Sequence, residues 1–99
     1  MNTIAQKEYI PWPSGEIAEN FAFYCSTSAG SIRLHFKWIT DKWCLWVTLP
    51  SGEVRQAGVI PGVESWAGFN DYGIVFEYSA EKIEYMELFN AEMYFLTWE

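Results

Sequence analysis

The sequence predicts an all-β fold: a small antiparallel β-barrel or sandwich of about six or seven strands, with at most one short helix near residues 80–89. Two observations carry this. Large apolar side chains alternate with polar ones along much of the chain, the two-residue period of a strand with one buried face. Breakers bearing Gly and Pro separate those runs at short intervals. No repeat or linker divides residues 1–99, which read as a single β domain.

Residues 1–15 read as a weakly ordered arm or an edge strand. Met1–Tyr9 is weakly patterned, and Ile10-Pro11-Trp12-Pro13-Ser14-Gly15 runs extended before each proline and then turns. Asn20–Cys25 alternates, with Phe21, Phe23 and Cys25 on one face and Ala22 and Tyr24 on the other. Ser26–Gly30 is small and permissive, a turn into the next element.

Ser31–Leu49 is the stretch around which the rest is organised, and it reads as one β-hairpin. Ile32, Leu34, Phe36 and Trp38 share a face opposite Arg33, His35 and Lys37. In the returning arm Trp43, Leu45, Val47 and Leu49 share a face opposite Cys44, Trp46 and Thr48. Ile39–Lys42 forms the loop, with Asp41 as its natural turn former. The eight apolar residues are a sheet's core surface, and Asn20–Leu49 reads as a three-stranded meander.

Pro50-Ser51-Gly52-Glu53 is a second tight turn, leading to a shorter strand around Val54–Val59. Glu64–Tyr72 lacks a clean period and reads as a loop carrying Trp66 and Phe69. Gly73–Tyr78 returns to strand. Ser79–Asn90 is the one helical candidate, with Ile83, Met86 and Phe89 at helical spacing; a single turn or a 3₁₀ segment fits as well as a full helix. Glu92–Trp98 closes the chain as a strand apolar on both faces, which places it centrally in a sheet or under a partner.

Composition restricts the function. A chain of 99 residues buries roughly two-thirds of its unfolded surface. Its six Trp, six Tyr and seven Phe exceed what so small an interior holds, so aromatic surface is left for binding. The net charge of −7 arises entirely after residue 50, where Arg55 and Lys82 face nine acids. No basic track exists for phosphates, which argues against nucleic acid and against anionic membranes; a basic protein partner, or simple solubility, fits better. No run has membrane-spanning length and no secretory leader is read.

The chain offers little chemistry. His35 is the only histidine and stands between Arg33 and Lys37 on the polar face of the hairpin. Cys25 as a nucleophile served by His35 lacks a local signature. Cys25 and Cys44 read as free thiols, too few with one His for a zinc site. Glu81, Glu84 and Glu87 read as a solvated acidic face rather than a metal site, and no Gly-rich phosphate loop occurs. No enzyme, cofactor or metal is expected. Trp46, opposite Trp43 on the hairpin, and Trp12, Trp66 and Phe69 in loops are the candidates for stacking on sugars or anchoring a protein interface.

The order of landmarks resembles the small plug proteins of bacteriophage contractile-tail baseplates, first known from a cyanophage. It runs through Phe21-x-Phe23, Ile32–Trp38, Trp43-x-Leu45-x-Val47, Gly52, Gly58-Val59-Ile60-Pro61-Gly62, Gly73–Phe76 and Leu88, then Met93–Trp98. The likeness covers Phe21–Trp98. Two departures stand out: an aromatic ending where the family has leucines, and a Glu64–Tyr72 loop without counterpart. The resemblance implies a non-catalytic virion protein, assembled in the host cytoplasm in multiple copies and touching hub, spike or tube subunits. On that basis Trp46, Trp66, Phe69 and Trp98 are the expected interface residues. The alternative from the residues alone is an aromatic-rich binding module of carbohydrate-binding or inhibitor/immunity type.

Overall fold

The computed structural model describes residues 4–62 and 72–98. Its strands are Ile4–Ile10 (β1), Asn20–Thr27 (β2), Gly30–Ile39 (β3), Lys42–Thr48 (β4), Val54–Gly58 (β5), Tyr72–Glu77 (β6) and Glu92–Trp98 (β7). They form two antiparallel sheets, a four-stranded meander β2-β3-β4-β5 and a three-stranded sheet β1-β7-β6. The architecture is therefore a two-sheet sandwich. On one side the chain leaving β5 crosses to the other sheet, where Pro61 bridges Phe76 and the Gly62 N–H donates to the Phe76 carbonyl at 2.8 Å.

The hairpin β3–β4 supplies the core as its alternation predicts. Ile32, Leu34, Phe36, Leu45 and Val47 are wholly buried, and Trp43 and Leu49 nearly so. From the facing sheet come Ile74, Phe76, Met93, Phe95 and Ile10, with Ile83, Leu88 and Ala91 closing one end. Each such large side chain contributes about 2–3 kcal/mol by leaving water. Trp38, the eighth residue of the stripe, is half-buried, edge-on to Trp43 and Tyr85.

Several boundaries differ from expectation, each for a local reason. The first hairpin turn shrinks to Ser28-Ala29, because β2 continues to Thr27. The Thr27 hydroxyl donates to the Gly30 carbonyl (2.8 Å) and accepts from the Ala29 N–H (3.1 Å), closing the turn with side-chain bonds. In the second turn the residue with positive φ is Thr40 (59°), not Asp41, and the Asp41 N–H donates back to the Ile39 carbonyl at 2.7 Å. The N-terminal arm is an edge strand: β1 pairs antiparallel with β7, with one irregularity between Ile4 and Gln6. Strand β7 is central in its sheet, one of the two alternatives its sequence allowed, and it buries Leu96 on one face and Phe95 on the other.

The helical candidate folds as a 3₁₀ helix, Tyr85–Asn90; of the three residues at helical spacing, Ile83 is buried just ahead of it, Phe89 is partly buried against the core and Met86 is exposed. Glu84 before it is extended and provides no side-chain cap, so the α-helical phase is never set. A three-residue period then aligns Tyr85 with Leu88. Leu88 is buried, whereas Met86 turns outward.

Candidate interaction face on the four-stranded sheet

The period that sends the hairpin's apolar stripe inward sends its polar stripe outward. Strand register then aligns those outward residues in rows across the sheet. Ala22, His35, Trp46 and Gln56 form the middle row. Tyr24, Arg33, Thr48 and Val54 lie on one side of it, and Asn20, Lys37, Cys44 and Gly58 on the other. The outward positions of all four strands carry no carboxylate.

A shallow groove of about 360 Å³ opens here, lined by Arg33, His35, Lys37, Trp46, Thr48 and Val54. Trp46 is its half-buried floor, with the His35 ring 5.7 Å away and tilted against it. Tyr24 and Val54 project beside it, 73% and 58% exposed. The His35 Nε2 lies 2.5 Å from the Asn20 Oδ1, which fixes the ring against β2. Partial burial, reinforced by Arg33 and Lys37, lowers the His35 pKa from its ordinary 6.5, so the imidazole is neutral at pH 7.

Charge is distributed unevenly over the molecule. Lys7 pairs with Glu77 (2.5 Å), Arg55 with Glu53 (2.6 Å) and Lys82 with Glu84 (3.9 Å). Among the described residues Arg33, Lys37 and Lys42 have no carboxylate partner, and all three stand at outward positions of β3 and β4. The acids gather elsewhere. Glu77 and Glu92 are directly opposite each other across β6 and β7. Lys7 eases that repulsion, lying 4.4 Å from the centre of the Tyr94 ring while the Tyr94 hydroxyl donates to Glu92. That bond pushes the Tyr94 pKa up to about 12. The Tyr78 hydroxyl donates likewise to Glu87, whose bond is the main cause of its raised pKa.

The structure separates the remaining candidates. Cys25 and His35 lie on opposite faces of the sheet, so they do not form a nucleophile–base pair. Cys25 and Cys44 are free; they too point to opposite faces, on strands separated by β3, which no disulfide spans. Burial, with Glu8 nearby, raises the Cys25 pKa, the opposite of what an activated thiolate needs. Glu81, Glu84 and Glu87 do not share a helix, because only Glu87 lies within the 3₁₀ segment. Among the described residues no cluster of His, Cys, Asp or Glu has metal-binding geometry, and no helix is long and apolar enough to cross a membrane.

Of the four expected interface residues, Trp46 stands on this face. Trp66 and Phe69 lie outside the described residues. Trp98 ends β7 opposite Ile4, and its side chain is outside the described set. Trp12, read as a loop aromatic available for binding, instead plugs the core. Its ring centre is 5.3 Å from that of Phe36 and 5.1 Å from that of Phe89, and its indole N–H donates to the Ala91 carbonyl at 2.7 Å. What the residue-by-residue reading missed is that the unpaired cations frame Trp46, although the alternation Arg33-x-His35-x-Lys37 carried the signal. Comparison of the chain with protein-family models, with curated proteins and with solved structures returns no match.

Proposed function

We propose that this chain is a structural component of a phage tail baseplate, a small non-catalytic β module that packs against hub, spike or tube proteins through the outer face of β2–β5. Two things support the reading: the order of landmarks from Phe21 to Trp98, and one observation of the fold. That observation is the shallow groove around Trp46, where an aromatic floor and cations without a carboxylate among the described residues stand on a continuous four-stranded sheet. A sheet face held by ladders on every inner strand loses little conformational freedom on docking, which suits a part that is locked into a larger assembly. In that setting the module is carried in the virion, and its surplus aromatic surface is covered by neighbouring subunits.

Light scattering of the chain alone, and then mixed with candidate hub and spike proteins, tests this. A defined complex on mixing, weakened about tenfold or more by Trp46→Ala, is the expected result for a buried aromatic anchor. A chain indifferent to every tail protein overturns the reading, and stabilisation by glycans in its place directs it to the carbohydrate-binding class.

A further inference from the structure

We infer that the outer face of β2–β5 is an acceptor site for an acidic protein segment, whose carboxylates pair with Arg33 and Lys37 while an apolar side chain rests on Trp46. The inference rests on the reading of this face as an interface and adds the chemistry of the partner.

The carrying observation is a segregation of charge. The protein has a net charge of −7, yet the outward positions of this sheet bear no acid. The three cations with no carboxylate among the described residues, Arg33, Lys37 and Lys42, all stand there. Elsewhere each remaining cation is matched within the molecule. Cations left unmatched among the described residues are solvated there and remain available to pair with an external anion.

The geometry narrows the anion. Arg33 and Lys37 are four residues apart on β3, about 13 Å along the strand, with His35 and the Trp46 floor between them. An extended polypeptide laid along β3 repeats its side chains every two residues on one face. Carboxylates four residues apart therefore reach both cations, and the side chain between them meets Trp46. Phosphate polymers fit less well, because three cations neutralise only a few of a polymer's phosphates, whereas two carboxylates are matched one for one by Arg33 and Lys37. Neutral His35 donates or accepts a single hydrogen bond here and adds no fixed charge.

The test is an NMR titration of the isotope-labelled chain at low salt with three probes: the peptide Glu-Ser-Leu-Ser-Glu, which sets two glutamates and the leucine between them on one face, the same peptide with glutamine, and a short oligothymidylate. The expected result is saturable shifts at Arg33, His35, Lys37 and Trp46 with the glutamate peptide. Binding weakens on the order of tenfold for each of Arg33→Glu and Lys37→Glu, and steeply with added salt. The His35 pKa rises on binding, because carboxylates enter beside it; a merely apolar contact at Trp46 leaves it low. Equal binding of the glutamine peptide overturns the inference, as does tighter binding of the oligothymidylate. Concentration-dependent shifts at the same residues without any peptide overturn it in favour of a second copy of this chain. A tail-protein complex that survives both charge reversals and high salt removes the acidic partner while leaving the baseplate reading intact. Loss of every tail complex with the glutamate peptide still bound does the reverse.

Discussion

Thr40 is the residue whose backbone is least at ease. It is β-branched, stands at φ 59°, and closes the β3–β4 connection with an i to i+2 hydrogen bond. Side chains branched at Cβ are disfavoured in this region, whereas glycine enters it freely. Thr40→Gly is expected to stabilise the protein by about 1 kcal/mol, measured as an upward shift of the urea midpoint at unchanged slope. Two tryptophans separate packing from hydrogen bonding. The indole N–H of Trp12 donates to Ala91, whereas that of Trp43 is buried with no acceptor among the described residues. Replacing either by Phe removes similar apolar area, but only Trp12→Phe also leaves a carbonyl without its donor. Trp12→Phe is therefore expected to cost about 1 kcal/mol more than Trp43→Phe in parallel denaturant titrations. His35 ties stability to pH. Arg33 and Lys37 flank it on β3, Asn20 faces it from β2 and Trp46 from β4, with no acid among them. Its pKa lies below 6.5 in the folded state, so the unfolded chain binds the proton first as pH falls. The His35 contribution is thus fully present above pH 6.5 and is lost between that value and the lower folded one. His35→Gln is expected to flatten this part of the stability profile.

At the scale of elements, the β2–β3 turn is the junction least tolerant of change. Gly30 sits at φ 115°, and a Cβ built there would lie 3.0 Å from the Pro50 ring. Pro50 is a rigid ring, so the contact cannot be relieved by a rotamer change. The same turn is anchored from the facing sheet, because the Glu8 carboxylate accepts from the Ser28 N–H and hydroxyl. Gly30→Ala is expected to destabilise by about 1–3 kcal/mol, combining a strained φ with that contact, and to lower Tm in a thermal scan. Strand β7 pairs on both edges and buries Met93, Phe95 and Leu96. Phe95→Ala is expected to cost about 3–5 kcal/mol, a large share of what a domain of this size has. The 3₁₀ helix contributes an end cap to the sandwich through Leu88 and Phe89, while Met86 on its outer side is exposed.

The whole molecule is a sandwich in which Arg33, Lys37 and Lys42 stand on one sheet and the Glu77–Glu92 pair on the other. The cationic outer face of β2–β5 is remote in composition from the acidic pairing of Glu77 with Glu92, and each is built by strand register rather than by any single residue. The inferred pairing of an acidic segment with the former acts at close range and weakens as salt shortens the Debye length. Cysteine placement is also a whole-molecule property. Because Cys25 and Cys44 face opposite sides of one sheet, the fold contains no internal cross-link. Thermal unfolding of the freshly purified monomer is expected to give the same Tm with and without a reducing agent.

The local period was legible without any tertiary information. Alternation over Ser31–Leu49 assigned which side chains of β3 and β4 go inward, because a strand leaves a residue only two faces to choose from. The two apolar faces of Glu92–Trp98 left two alternatives, a central strand or one under a partner, and the sheet order places it centrally. Turn details were less legible: a γ-type closure at Thr40 and hydroxyl bonds at Thr27 depend on hydrogen bonds between residues that propensity treats singly. The failed α-phase at Glu84 belongs with them, because the chain enters that segment extended. What only the tertiary structure decided is lateral order and its consequences. Strand period says nothing about which strands are neighbours, so it did not reveal that β1 closes onto β7. Nor did it show that Trp12 reaches the core between two sheets, or that every cation lacking a carboxylate among the described residues shares one face with Trp46. Those are contacts between residues far apart in the chain, and they exist only once long-range pairing has set the register.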